Sequence, residues 1–338
     1  MELLDRIIES STVPKYLQVV NAIISDIEDG ILKPGERIPS INETSEMYYL
    51  SRDTIEKAYK ELRERGIINS VRGKGNYICK TFSRDKMRVL LLFNKLSAYK
   101  KAVYYAILDT LGEEAIVDLQ IHHYDGKVCE NLIQESLGKY HYYVVMPHFT
   151  ENTETVLQTL NKIPKNKLIL LDKNLDQFTG DYSAIYQDFE RDINSALHSG
   201  SDLIKKYRKL VLVYPKEVSY PIEIVKGFRR FCQESDKPFS IINCFDEEPI
   251  AVGTAFVVLE ESDLIDLIKY CRDKNLVLGQ DIGIISYNET PLKEILVSGI
   301  TVISTDHEKM GETAARMMRN RQQGKIRNPF TLIRRNSL

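Results

Sequence analysis

Three groups of side chains in this sequence are placed to do chemistry. Leu50-Ser51-Arg52-Asp53-Thr54 puts a hydroxyl, a guanidinium and a second hydroxyl at the start of a helical pattern. A guanidinium there can make a bidentate contact to guanine or to a phosphate. Arg72-Gly73-Lys74-Gly75 is small and cationic, suited to close approach to a nucleic-acid backbone or minor groove. The third group stands at the carboxyl ends of β-rich runs: Asn94, Lys95, His148, Asp172, Lys173, Glu260 and Asn288. Asp and Asn suit paired hydrogen bonds to vicinal hydroxyls, and lysine suits a phosphate. His122-His123 reads as two neighbours on opposite faces of a strand, a poor metal pair. The Walker loop, GxSxG and HExxH patterns are missing.

The elements that must hold the first two groups are legible. Tyr16-Leu17, Val20, Ile23-Ile24 and Ile27 recur at helical spacing, with Pro14 before them and Gly30 after. After the turn-rich GILKPGERIPS, Ser40 caps a second helix, INETSEMYY. Ser51 caps a third, with Asp53 in its first turn, a buried stripe of Ile55, Tyr59 and Leu62, and Gly66 at its end. IINSV and NYICK then read as two strands around the RGKG tip. Three helices followed by a basic hairpin make an α+β winged helix-turn-helix, whose third helix enters the major groove of duplex DNA. Charge supports this. Net charge is −2, yet residues 50–80 hold eight Lys/Arg against four Asp/Glu, while residues 1–49 hold four against nine.

Beyond a polar linker, β-rich runs alternate with helical stretches: RVLLLF (88–93), IVDLQIHHY (116–124), YYVVMP (142–147), KLILLD (167–172), KLVLVYP (209–215), FSIINCF (239–245), TAFVVLE (254–260) and IGIIS (282–286). Such alternation implies α/β parallel sheets covered on both faces. Ligands of open sheets bind beyond the carboxyl ends of the strands, so two facing lobes form a cleft there. The expected division is residues 1–80 for the winged helix-turn-helix, 81–86 for the linker and 87–338 for a two-lobed effector-binding and dimerisation domain.

Residues 14–79, from PKYLQVVNAIISDIEDGILKPGERIPS through LSRDTIEKAYKELRERGIINSVRGKGNYI, resemble the DNA-binding domain of the GntR family. The resemblance implies operator binding as a dimer, with contacts from Ser40, Asn42, Ser51, Arg52, Thr54, Lys57, Arg72, Gly73, Lys74 and Gly75. Asn42 stands where the family often carries arginine. LILLDK (168–173), YSAIYQD (182–188), VKGFRRF (225–231), DIGIISYNE (281–289) and the tail VISTDHEKMGETAARMM…LIRRNS resemble the LacI-family effector domain, a type I periplasmic-binding-protein-like fold. Together the two halves look like the arabinose-repressor architecture. Ile224 replaces the family's usual sugar-binding arginine, and Tyr220 is the residue expected to line the cleft instead.

Composition is that of a globular chain: 338 residues, 43% hydrophobic and 28% charged, without the roughly 20-residue apolar run that spans a bilayer. The start, MELLDRIIES, is acidic and unlike a secretory signal, which points to the cytoplasm. The five scattered cysteines, without CxxC, suggest neither a disulfide framework nor a thiolate metal site. The expectation is therefore a homodimeric, non-enzymatic DNA-binding regulator, a repressor of carbohydrate genes. It binds double-stranded operator DNA and a sugar or sugar-phosphate effector of arabinose or fucose type, and needs no cofactor, metal or membrane. The two candidate lysines, Lys95 and Lys173, lean the ligand toward a phosphorylated or acidic sugar. The rival readings are an enzyme acting on a phosphorylated sugar fused to a DNA-binding domain, a smaller sensor fold, and a ligand-free architectural DNA-binding protein.

Overall fold

The computed structural model describes residues 13–28, 30–71, 73–79, 86–150, 153–175, 177–216, 220–245, 247 and 249–338. The first unit runs α1 (Lys15–Glu28), β1 (Arg37–Ile38), α2 (Ile41–Tyr48), α3 (Arg52–Glu64), β2 (Ile68–Val71) and β3 (Gly75–Ile78). Its core is the stripe expected from helical spacing: Val20, Ile23 and Ile27 of α1 against Ile55, Tyr59 and Leu62 of α3. Ser40 closes a full capping box on α2. Its Oγ accepts from Glu43 N at 3.2 Å, and Glu43 Oε2 accepts from Ser40 N at 2.6 Å. Ser51 Oγ caps α3 by accepting from Thr54 N at 3.3 Å. The buried Tyr59 hydroxyl donates to Pro39 O at 2.8 Å and lies 2.7 Å from Thr44 Oγ1, fixing α3 against α2. The wing sheet has the order β1-β3-β2, antiparallel throughout. β1 is not legible in the sequence: two residues carry no alternation, and only pairing with β3 makes them a strand. The expected linker lies outside the described residues over 81–85, as does Arg72 at the wing tip.

The second unit comprises β4 (Met87–Phe93), α4 (Ala98–Leu111), β5 (Ala115–Ile121), α5 (Gly126–Ser136), β6 (Tyr142–Val145), α6 (Thr153–Leu160), β7 (Leu168–Asp172) and β8 (Ser183–Tyr186). It continues with α7 (Phe189–Ser199), α8 (Ser201–Ile204), β9 (Lys209–Val213), α9 (Glu223–Glu234), β10 (Phe239–Ile242), β11 (Thr254–Val258), α10 (Glu261–Asp273) and β12 (Ile282–Tyr287). Last come α11 (Pro291–Ile295), β13 (Thr301–Thr305), α12 (His307–Arg319), β14 (Lys325–Arg327) and β15 (Phe330–Ile333). Two six-stranded sheets result, β14-β8-β7-β6-β4-β5 and β10-β9-β11-β12-β13-β15. All ladders are parallel except β13 with β15. The central strands are buried on both faces, as continuous apolar runs such as Val89–Phe93 require, while the edge strands β5, β10, β14 and β15 are partly exposed.

The eight expected strands are all present. The sequence reading missed β8, β13, β14 and β15; β14 and β15 are short segments at sheet edges whose strand character comes from their single neighbour. His122 and His123 are corrected: β5 ends at Ile121, and both histidines lie in the turn beyond it, where Asp125 caps α5. His123 takes a left-handed φ of 52°, and His122 is buried with Nε2 3.0 Å from Met146 O. All five cysteines are free. Among the described residues no helix is long and apolar enough to cross a membrane, and no cluster of His, Cys, Asp or Glu is arranged to hold a metal.

The chain passes between lobes three times: after β8, after β13 and between β14 and β15. Asn328, 2% exposed, ties these passages together. Its N donates to Tyr186 O at 2.8 Å, and its Nδ2 donates to Thr305 Oγ1 and Asp306 O at 2.8 and 2.7 Å. The carboxyl ends of both sheets meet at this junction, which is where a site can form.

Candidate functional site

In the first unit, the third helix and wing present the side chains expected there. Asn42, Arg52 and Lys74 are exposed, and none has a side-chain hydrogen bond or ion pair among the described residues. Ser40 and Ser51 have spent their hydroxyls on helix caps, so their role at the surface is to fix the helix starts. Thr54 Oγ1 lies 2.7 Å from Ser51 Oγ. Lys57 leans back over α1, its ammonium 4.3 Å from the centre of the Tyr16 ring. Gly73 and Gly75 take φ of 76° and 109°, which the hairpin tip requires and which side chains disfavour. Arg37 of β1 is exposed beside this tip, and the sequence reading passed over it.

In the second unit, a cleft of about 450 Å³, part of it open to solvent, lies between the lobes at the strand ends. Six of the eight expected residues line it: Asn94, Lys95, His148 and Asp172 from one lobe, Tyr220 and Asn288 from the other. Glu260 stands behind the wall, accepting from the Tyr220 hydroxyl at 2.6 Å. Lys173 lies outside the lining; the left-handed backbone at Asp172, φ 73°, turns the chain there. Strand-end reasoning missed Tyr99, Lys100, Tyr124, Gln187, Phe189, Pro221, Tyr287 and His307. Carrying that rule into the first helical turn after β4 finds Tyr99 and Lys100. Gln187 and His307 sit on the passages between lobes, which only the topology reveals.

Asp172 is the polar centre of one wall. His148 Nε2 donates to its Oδ2 at 2.7 Å, and Gln187 Nε2 donates to its Oδ1. Gln187 in turn accepts from the Tyr287 hydroxyl of the other lobe at 3.4 Å, so one side chain on the first passage touches both lobes. Burial acts to raise the Asp172 carboxyl, but the His148 hydrogen bond, the Lys100 charge and Gln187 hold it well below the usual carboxylate range. Lys100 is buried and donates to Asn94 Oδ1; burial brings its ammonium down to about 8, with Asp172 opposing. His307 is brought down to about 4 by burial, so it is neutral near pH 7. Burial acts to lower Lys95, but Tyr99, Tyr124 and Glu260 outweigh it and keep it cationic.

The opposite wall offers an unsatisfied group. Asn288 is 6% exposed, and its Oδ1 is buried without a hydrogen-bond partner among the described residues. Leaving such a group unpaired costs on the order of 1–3 kcal/mol. Below it, Lys293 Nζ donates to Tyr287 O and Asn288 O, each at 2.8 Å, and holds the strand end in place. Carboxylate and amide acceptors, a lysine donor and the rings of Tyr99, Tyr220 and Tyr287 thus surround one space. Such a combination is chemically suited to a ring that is apolar on its faces and polyhydroxylated at its edge.

Residues 15–78 match the bacterial regulatory proteins of the gntR family, and residues 203–338 match the periplasmic binding protein-like domain. The HTH-type transcriptional repressor YtrA of Bacillus subtilis is 32% identical over 99 residues, covering 29% of this chain and 72% of that protein. The arabinose metabolism transcriptional repressor of Geobacillus stearothermophilus is 33% identical over 79 residues, covering 23% of this chain but only 22% of that protein. Among solved structures, the trehalose repressor from Escherichia coli superposes with a TM-score of 0.60 at 15% identity, over 74% of this chain and 100% of that one. That likeness carries the two-lobed fold.

Proposed function

Because the chain belongs to the gntR family of bacterial regulatory proteins, we propose that it is a transcriptional repressor controlled by a small ligand held between its lobes. The ligand is a sugar or sugar phosphate, of the arabinose or fucose type, and the genes controlled serve carbohydrate metabolism. The arabinose repressor among its relatives supports this class. The observation that carries the reading is the buried, unpaired Asn288 Oδ1 in the wall facing Asp172, an acceptor that a ligand hydroxyl would satisfy.

Operator binding runs through residues 1–80 and ligand binding through residues 87–338, with 81–86 between them. The working form is a homodimer in the cytoplasm, since a two-fold pair of recognition helices matches paired half-sites. Ligand closure of the cleft changes the spacing of those helices, and operator affinity changes by the coupling free energy. The matched relatives are regulators, which favours this reading over an enzyme on a phosphorylated sugar.

A thermal-shift screen against free sugars and sugar phosphates tests the ligand, because whatever binds only the folded state raises its apparent stability. A hit that also alters operator binding is the expected result. A complete absence of shifts across both classes at millimolar concentration would count against the reading.

A further inference from the structure

Arg37 sits at a seam between two parts of the DNA-binding unit. It lies on β1 opposite Tyr77 of β3, and its side chain crosses diagonally over Gly75. A Cβ on Gly75 would stand 2.9 Å from Arg37 Nε and 3.6 Å from Cζ. The glycine, with φ 109°, therefore leaves the space in which the guanidinium lies. Arg37, Gly75 and Tyr77 share one face of the wing sheet. Ile38 and Ile78 take the other face, into the core. The Tyr77 hydroxyl donates to Lys74 O at 3.2 Å and braces the wing tip beside them.

Its charge also acts on the first turn of α2. The carboxylate whose charge it feels is Glu43, and Glu43 Oε2 already accepts the Ser40 N–H of the capping box. The guanidinium is exposed and makes no hydrogen bond or ion pair among the described residues. Its five donors are thus free, and Gly75 leaves room for it along the wing. A fork held in advance loses less rotamer freedom when it meets an anion. Asn42 of α2 and Lys74 of the wing tip are exposed as well.

We propose that Arg37 is a DNA-phosphate contact that bridges the α2 start and the wing, seated by Gly75. This rests on the reading that residues 1–80 bind DNA. The contact fixes how the wing lies along the backbone and carries no base preference, because phosphates are the same at every sequence. It therefore acts on any duplex, and its mark is the salt dependence of binding.

The experiment uses the full-length protein and a fluorescein-labelled random-sequence duplex of about 25 base pairs, with anisotropy measured from about 50 to 200 mM salt. Removing one cation that neutralises a phosphate lowers the slope of log K against log salt by about 0.9 per protomer bound. Arg37→Ala is expected to show that decrease, with an unchanged melting temperature, and Arg37→Lys is expected to restore the slope. Lys74→Ala serves as the comparison. An Arg37→Ala slope equal to wild type, beside a lowered Lys74→Ala slope, overturns the assignment of Arg37 alone. Weaker binding in Arg37→Ala with an unchanged slope and a lowered melting temperature also overturns it, as a purely structural role. Wild-type protein that fails to bind the duplex overturns the DNA-binding reading itself.

Discussion

Asp172 and Asn288 occupy matching places in the two lobes. Asp172 ends β7, the third strand from the β14 edge of its sheet, and Asn288 follows β12, the third from the β15 edge of the other. Both have left-handed backbones, φ 73° and 62°. Asp and Asn are the non-glycine residues that enter this region most readily. The two face one cleft, yet their states differ. Both Asp172 oxygens already have partners, whereas Asn288 Oδ1 has none among the described residues.

That difference ranks two variants. Asn288→Ala removes an acceptor that a ligand hydroxyl would satisfy, so ligand affinity should fall by roughly 0.5–1.5 kcal/mol. Asp172→Ala should cost more, because the ionised carboxylate makes stronger hydrogen bonds and its loss leaves His148 and Gln187 without their acceptor. Isothermal titration with a ligand found by thermal shift measures both. Unchanged affinity in the two variants would remove the cleft as the binding site.

Arg52 is the exposed guanidinium at the start of the third helix. If it reads a base, Arg52→Ala should cost about 1–3 kcal/mol on the operator and little on unrelated duplexes. Competition binding with the two kinds of DNA decides the matter, and equal decreases on both would make Arg52 a phosphate contact.

Acid should destabilise the protein through His122 and His307. Burial brings each imidazole down to about 4, from 6.5 when exposed. Between those values the unfolded chain binds a proton that the folded one does not, so stability is present above pH 6.5 and lost as pH falls toward 4. Each histidine should account for about 2 kcal/mol between about pH 7 and pH 5. Asp172 titrates below this window, and His148, also lowered by burial, adds to the loss in the same direction. Urea unfolding at the two pH values should show a gap that narrows in His307→Gln. An undiminished gap would mean that His307 is protonated in the folded state.

Gly227 lets α9 lie directly on the chain at the start of α7. A Cβ there would stand 2.3 Å from Glu190 O, a backbone atom with no freedom to move aside. Gly227→Ala should therefore lower stability by about 1–3 kcal/mol through overpacking. Thermal unfolding measures this, and a midpoint equal to wild type would show that the helices separate easily.

Dimerisation is expected to reside in the second unit. A fragment of residues 87–338 should sediment as a dimer at micromolar concentration. A monomeric fragment beside a dimeric full-length protein would move the interface to the first unit.

The sequence by itself determined the three helices and hairpin of the first unit and eight strands of the second, in their order. Helix caps at Ser40 and Ser51, the 3.6-residue stripe of α1 and α3, and the RGKG hairpin are local signals, and short-range physics suffices to read them. The apolar runs marked eight strands, and the strand-end rule reached Asn94, His148, Asp172 and Asn288 without coordinates. What lay beyond this needed contacts distant in sequence. β1 and β14 are strands only because a neighbour pairs with them. Lys100 enters the cleft from a helix, and Gln187 and His307 enter from passages whose place depends on the chain crossing between lobes. Lys173, adjacent to a cleft residue, falls outside the lining. Only the tertiary structure could decide these, because periodicity records which face of an element is buried, whereas a site is made where separate elements converge.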